Sequence, residues 1–287
     1  MVAVRQVRFD PDSVRAFEHA GWQKAAAEYD ATFARASAEF AEALLDAAAI
    51  GAGDRLLDLC CGTGLVTAAA ARRGAVAMGV DFSAAMLAEA RRSHPELRFD
   101  EGDAEALPYG DRSFDAVVAN FGVHHVPRPG KAIAEAQRVL LPGGRFAFTT
   151  WALPAENIAW RLLFDAIAAH GDMRAANAPP SGGNLGTCEA VLRLLHDCGF
   201  ADGRAQPARR EWRVAEPSDI VRALARGTVR TAALIAAQPE AALPAIEAAV
   251  AVAAAPYRGG DGFAVPIVAI LARGTKSAGC AISIATS

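Results

Sequence analysis

The amino-acid sequence predicts an α/β protein built on an open sheet with helices on both faces, and three observations carry that prediction. The strand-like run Leu56-Leu57-Asp58-Leu59 leads straight into a small-residue turn, Cys60-Cys61-Gly62-Thr63-Gly64, and then into an alanine-rich helix, Leu65 to Arg73. Strand and helix patterns alternate from there to Trp151, as parallel strands with crossover helices require. Three successive predicted strands end on or just before an acid: Asp58, Asp81 and Asp103.

In chain order, residues 12–49 read as helical, with Phe33, Phe40 and Leu44 on one face. Gly51-Ala52-Gly53-Asp54 stops that arm before the first strand. Trp22 and the pair Tyr29-Asp30 are its most distinctive residues, suited either to packing the arm down or to lining a site. The second strand is Ala75 to Val80, ending at Asp81, and Ser83 is placed to cap a helix over Ala84 to Arg92. The third strand is Leu97 to Phe99 and the fourth Phe114 to Ala119. Lys131 to Leu141 is a helix, stopped by Pro142-Gly143-Gly144, and the fifth strand is Arg145 to Trp151. Residues 154–186 start as a helix, Ile158 to His170, and then become rich in Pro, Gly and Asn, as an insertion or lid would be. Thr187 to Cys198 is a helix and Arg204 to Val214 a strand. Pro217 to Ala237 and Pro239 to Ala255 are alanine-rich helices, and Phe263 to Ala272 is the last strand.

Composition excludes several classes. The 287 residues are 53% hydrophobic, which supports a large core and argues against disorder. Net charge is -3 and basic residues run no longer than pairs, so no nucleic-acid partner is expected. No apolar segment reaches the ~18 residues of a membrane helix, and Met1 to Asp10 lacks a signal-peptide apolar region. The five cysteines form no C-x-x-C pair, so no metal site is expected. Their odd number and scattered spacing fit reduced thiols in a cytoplasmic protein. Cys60-Cys61 reads as small side chains filling a tight loop rather than as a redox pair.

The glycine loop discriminates between cofactors. A dinucleotide loop follows G-x-G-x-x-G, but here Thr67 stands where the third glycine belongs. Asp58, just before the loop, opposes a pyrophosphate and suits a ligand bearing an ammonium and a sulfonium. Asp81, 23 residues after Asp58, is placed for ribose hydroxyls, and Asp103 for an exocyclic amine. Together the acids describe a site for a cationic, adenosine-containing ligand.

Five segments in order resemble the class I S-adenosylmethionine-dependent methyltransferases, especially the small-molecule group that includes the ubiquinone and menaquinone C-methyltransferases. They are Leu57 to Gly64, Gly79-Val80-Asp81-Phe82-Ser83 with Met86, Gly102-Asp103-Ala104-Glu105 with Leu107-Pro108, Ser113-Phe114-Asp115, and Leu140-Leu141-Pro142-Gly143-Gly144. The resemblance covers residues 55–151 well and the flanks only in general layout. Cys60 and Cys61 stand where the family more usually has glycine or alanine. With the alternation above, it implies a Rossmann-like, seven-stranded, mostly parallel sheet whose last strand is antiparallel, with a helical N-terminal arm and a C-terminal helical cap. The implied organisation is an arm over 1–54, an S-adenosylmethionine-binding core over 55–151, cap helices and final strands over 152–276, and a mobile tail over 277–287.

By the same resemblance, Asp58 and the loop of Cys60, Gly62 and Gly64 hold the methionine portion of the cofactor, S-adenosyl-L-methionine, and of its product S-adenosyl-L-homocysteine. Asp81 takes the ribose, Phe82 and Met86 flank the adenine, Asp103 and the Ala104 amide read its edge, Asn120 lies beneath the methionine part and Tyr29 reaches in from the arm. Phe82 and Met86 suit the core equally well. His124 and His125 follow the fourth strand, where either is placed to act as a base or simply to pack or cap. Asn120-Phe121-Gly122-Val123 lacks the Pro-Pro-aromatic run of the DNA and protein-amide methylating groups. The expected function is methyl transfer to a small, partly hydrophobic molecule, with carbon, oxygen and nitrogen acceptors all open. A non-catalytic cofactor-binding partner and an NAD-dependent oxidoreductase are the alternatives. The C-terminal helices, with Trp151, Trp160 and Trp212, suit an acceptor pocket, a homodimer face or plain core.

Overall fold

The computed structural model describes residues 9–278. Expectations that fall on residues 279–287 lie outside the described residues. The arm comprises α1 (Pro11–Tyr29), α2 (Ala34–Ala38) and α3 (Ala41–Ala47). The core follows as β1 (Arg55–Leu59), α4 (Leu65–Arg72), β2 (Val76–Asp81), α5 (Ala84–Ser93), β3 (Arg98–Glu101), β4 (Phe114–Asn120), α6 (Pro129–Val139) and β5 (Leu140–Trp151). The last third adds α7 (Ile158–His170), α8 (Cys188–Asp197), β6 (Phe200–Val214), α9 (Pro217–Gly227), α10 (Arg230–Ala236), α11 (Leu243–Ala254), the two-residue β7 (Arg258–Gly259) and β8 (Gly262–Lys276).

The strands lie in one sheet in the order β3-β2-β1-β4-β5-β8-β6, with β7 paired to β8 as a short hairpin. Strands β1 to β5 are mutually parallel, and β8 runs antiparallel to both its neighbours. The mostly parallel sheet with an antiparallel last strand is therefore present, with the short β7 added to the expected seven strands. The strand order reverses between β1 and β4, which opens a crevice beyond their carboxyl ends.

Burial explains the layers. Leu56, Leu57 and Leu59 of β1 are all fully buried, because helices cover both faces. On one face α6 and α8 bring Ile133, Val191 and Leu195 onto Phe146 and Phe148. On the other, α3 and α4 bring Leu44, Leu45 and Val66 onto Leu56 and Ala116. Strand β8 alternates between the layers: Val268, Ile270 and Ala272 face α6 and α8, while Val265, Ile267 and Ala269 face the cap.

Four local expectations are corrected. The single helix over 12–49 is three, because the chain turns at Asp30–Phe33 and at Glu39–Phe40. The turns drive Phe33 and Phe40 into an aromatic cluster with Trp151, which one continuous helix does not reach. Helix α6 ends at Val139, and Pro142-Gly143-Gly144 lies inside β5 rather than before it. Residues Phe114 and Ala116 of β4 pair with Leu140 and Arg145, so the extra residues of β5 bulge out, with Gly143 at φ 77°. The third strand is shifted to Arg98–Glu101. The helix expected over 217–237 breaks at Thr228–Val229, where the Thr228 hydroxyl donates to the Leu224 carbonyl and accepts from the Ala232 amide. That break brings Arg230 to the wall of the cavity described below.

Candidate active site

The loop after β1 turns through left-handed backbone at Cys60 (φ 57°), Gly62 (φ 53°) and Gly64 (φ 84°). Gly64 is required twice over, because a Cβ there would also lie 2.7 Å from the Phe99 ring. The loop opens on a cavity of about 480 Å³. A Cβ on Gly62 would meet nothing within 4 Å, so the loop presents bare backbone to open space, as close approach by a ligand needs. Opposite, Gly122 lets Cys60 pack closely, since a Cβ there would lie 2.3 Å from the Cys60 Cβ.

Asp81 is buried at the end of β2. One carboxylate oxygen accepts the Gly62 N–H and the other the Ser83 N–H, both at 2.9 Å. Burial pushes its pKa up, and these hydrogen bonds oppose that. Each oxygen keeps a second lone pair for a ligand hydroxyl. Phe82, Met86, Asp103 and Ala104 continue the wall on this side. Asp103 is paired with Arg15 of α1 and also accepts the Glu105 N–H at 2.9 Å.

The arm is fastened across the same edge. Gln23 accepts from the Ser83 hydroxyl (2.8 Å) and the Ala85 N–H (2.7 Å). Asp30 accepts the Thr63 hydroxyl at 2.6 Å. Tyr29 lines the cavity, its hydroxyl 3.0 Å from that of Ser37. Burial pushes its pKa up to about 12, so it is a neutral phenol. Asn120 donates to the Ser37 carbonyl and accepts from the Thr149 hydroxyl, so its amide braces the wall.

Beyond the loop the cavity changes character. Phe121 stacks on Trp151, with centroids 3.8 Å apart and planes 11° from parallel, and Phe33 and Trp160 complete the apolar end. His124 and His125 also line the cavity. Burial holds His124 well below the usual imidazole range, and its Nδ1 is buried without a partner. His125 Nδ1 lies 2.9 Å from Glu18, a fully buried carboxylate of α1.

Eleven expected residues therefore meet around one cavity: Tyr29, Cys60, Gly62, Asp81, Phe82, Met86, Asp103, Ala104, Asn120, His124 and His125. Asp58 and Gly64 are not on its wall. Asp58 is buried behind the loop and accepts the Thr67 hydroxyl at 2.7 Å. Desolvation pushes its pKa up to about 7. The Cys60 and Cys61 thiols are held protonated by burial and by Asp81 and Asp58. Glu18, Arg15, Gln23 and Arg230 were not among the sequence-derived candidates. The only signal for them is charge or polarity on otherwise unremarkable helices. Among the described residues, no cluster of three or more potential metal ligands occurs. Nor is any single helix there long and apolar enough to cross a membrane, although the bent pair Arg230–Ala236 and Glu240–Tyr257 passes by length and composition together.

Known proteins show the same core. A methyltransferase-domain model matches residues 57–148. Demethylmenaquinone methyltransferase of Renibacterium salmoninarum is 40% identical over 111 residues, covering 39% of this chain and 47% of that protein. The enzyme of the same name from Beutenbergia cavernae is 42% identical over 112 residues, with the same coverage of 39% and 47%. The chain thus spans about half the length of the curated relatives it matches. Among solved structures, a putative methyltransferase from an antibiotic biosynthesis pathway of Anabaena variabilis superimposes with a TM-score of 0.58 at 19% identity, over 82% of this chain and 96% of that one. That likeness is one of fold, and it extends beyond the matched segment into the flanks. Over residues 57–148 the chain is thus similar to a methyltransferase domain.

Proposed function

We propose that the chain transfers a methyl group from S-adenosylmethionine to a small, partly hydrophobic molecule. The observation that carries this reading is the continuity of the cavity, from the Gly62 loop and Asp81 to the apolar end at Trp151 and Trp160. Asp81 accepts the ribose hydroxyls, Phe82 and Met86 flank the adenine, and the Ala104 amide reads its edge. Asp103 reaches the adenine amine only as part of its pair with Arg15. The bare backbone at Gly62 and the loop side of Cys60 receive the methionine portion, with Tyr29 and Asn120 opposite. Asp58 and Gly64 support the loop from behind.

The cofactor supplies a methyl group already activated on a sulfonium, so the chain's work is positioning and exclusion of water. The stacked Phe121 and Trp151 form the apolar wall against which the acceptor lies. A base is needed only where the acceptor atom must lose a proton, and His124 and His125 are the two groups in place for that.

Calorimetric titration of the purified protein with S-adenosylhomocysteine, with NAD in parallel, tests the reading. Micromolar binding of S-adenosylhomocysteine alone is the expected result. Binding of NAD in its place overturns the assignment, and a folded sample that binds neither removes the cofactor from the proposal.

A further inference from the structure

Glu18 is a charged residue in the middle of an arm helix, yet it is fully buried. An isolated carboxylate there is costly, and such groups persist only when paired. Both oxygens of Glu18 are engaged. Oε1 accepts Nε of Arg230 at 2.7 Å, and Oε2 faces Nδ1 of His125 at 2.9 Å. Arg230 is fixed in turn: it donates to the Pro179 carbonyl at 2.7 Å and its guanidinium lies over the Phe17 ring. The pairing with His125 and Arg230 holds Glu18 below the usual carboxylate range against the penalty of burial, so it is an anion. The cluster joins α1, the turn after β4 and the first residue of α10, segments separated by 107 and 212 positions from Glu18.

We infer that Glu18 is a positioning residue that fixes the tautomer of His125, making His125 rather than His124 the proton acceptor of the site. This rests on the methyl-transfer reading above. A carboxylate accepts hydrogen bonds and donates none, so Nδ1 of His125 must carry the proton. Nε2 of the neutral ring is then an open lone pair. The Trp22 ring stands edge-on to the imidazole at 5.0 Å and restricts its rotation. In the reaction the acceptor's X–H bond gives its proton to Nε2 as the X–CH3 bond forms. The S–CH3 bond breaks with its electron pair left on sulfur, and the positive charge of the sulfonium reappears on the imidazolium. His124 has no counterpart of Glu18, since its Nδ1 is buried without a partner.

Nitrogen-15 NMR of the full chain labelled at histidine, with and without S-adenosylhomocysteine, tests this directly and needs no acceptor. In the native protein His125 should be in the Nδ1–H form. In Glu18→Gln, Arg230 keeps the amide oxygen, so the amide NH2 turns to Nδ1 and the ring should invert to the Nε2–H form. Removing the competing donor in Glu18→Gln/Arg230→Met should let the amide turn round and restore Nδ1–H. S-Adenosylhomocysteine affinity in Glu18→Gln should stay within threefold of native. Turnover of any acceptor with an ionisable X–H should fall at least tenfold in kcat with the cofactor KM unchanged. An Nε2–H form in the native protein overturns the inference whatever the variants do, including variants that fail to fold. An unchanged tautomer in a folded Glu18→Gln protein also overturns it. Loss of S-adenosylhomocysteine binding by the native protein would instead sink the methyl-transfer reading, and the tautomer result reports separately on Glu18.

Discussion

The two ends of the cavity are built differently. The loop end is made by segments close in sequence: residues 60–64, 81–86 and 102–104 each follow a strand of one parallel sheet. Its key contacts are backbone amides and short side chains. The apolar end is assembled from far apart, with Phe33 from the arm, Phe121 after β4, Trp151 from the end of β5 and Trp160 from α7. The contrast teaches that short local motifs, with their glycine and acid spacing, can specify the loop end. The apolar end depends on tertiary packing that any number of apolar sequences satisfy.

If the two ends are this separate, mutations should split their effects. The largest effect is expected at Trp160, buried among the cap helices and donating to the Thr231 hydroxyl at 3.2 Å. Trp160→Ala should cost about 3–5 kcal/mol of stability in denaturant unfolding, while the folded fraction keeps native S-adenosylhomocysteine affinity. A parallel loss of affinity would break the comparison. Next, Asp81→Ala removes charge-assisted hydrogen bonds worth ~1.5–3 kcal/mol each, so titration should show at least tenfold weaker binding of S-adenosylhomocysteine. Unchanged affinity would remove Asp81 from the site.

Asp58 sharpens the comparison from behind the loop. Its pKa is raised in the folded state, so the native protein holds that proton more tightly than the unfolded chain does. The favourable contribution is therefore complete below the ordinary carboxylate value of 3.8 and declines as pH rises toward about 7. Asp58→Asn keeps an acceptor for Thr67 and should flatten the decline in denaturation midpoint across that window. A slope identical to native would assign the pH dependence elsewhere. The smallest effect belongs to Arg92, whose pair with Glu89 is exposed on α5. Arg92→Ala should change stability by no more than ~0.5 kcal/mol and serves as the control for the series.

Much of the loop end was legible because its physics is local. Ser83 caps α5 by accepting the Met86 N–H, as its position before an apolar helix suggested. Asp81 was marked by standing at a strand end beside a glycine loop. Asp58 looked equivalent, but sequence does not show which side of a strand end meets solvent, and Asp58 faces Thr67 inside. The breaks in the arm and at Thr228–Val229 were hidden because alanine-rich sequence favours helix throughout, and distant aromatic contacts decided the matter. Glu18 was invisible for a similar reason. Nothing in a helix around Arg15, Glu18 and His19 signals burial until Arg230 and His125 arrive from elsewhere.

The position of β8 has a consequence for how the sheet comes into being. It is the last strand among the described residues, yet it lies between β5 and β6 and pairs with both along most of their lengths. Until residues 262–276 have left the ribosome, β5 has an open edge and the fifteen-residue β6 has no neighbour at all. Open edges of that length invite pairing with other chains. Strands β5 and β6 are thus most exposed to such pairing before β8 is in place, and β8 acts as the closing piece that ends that exposure.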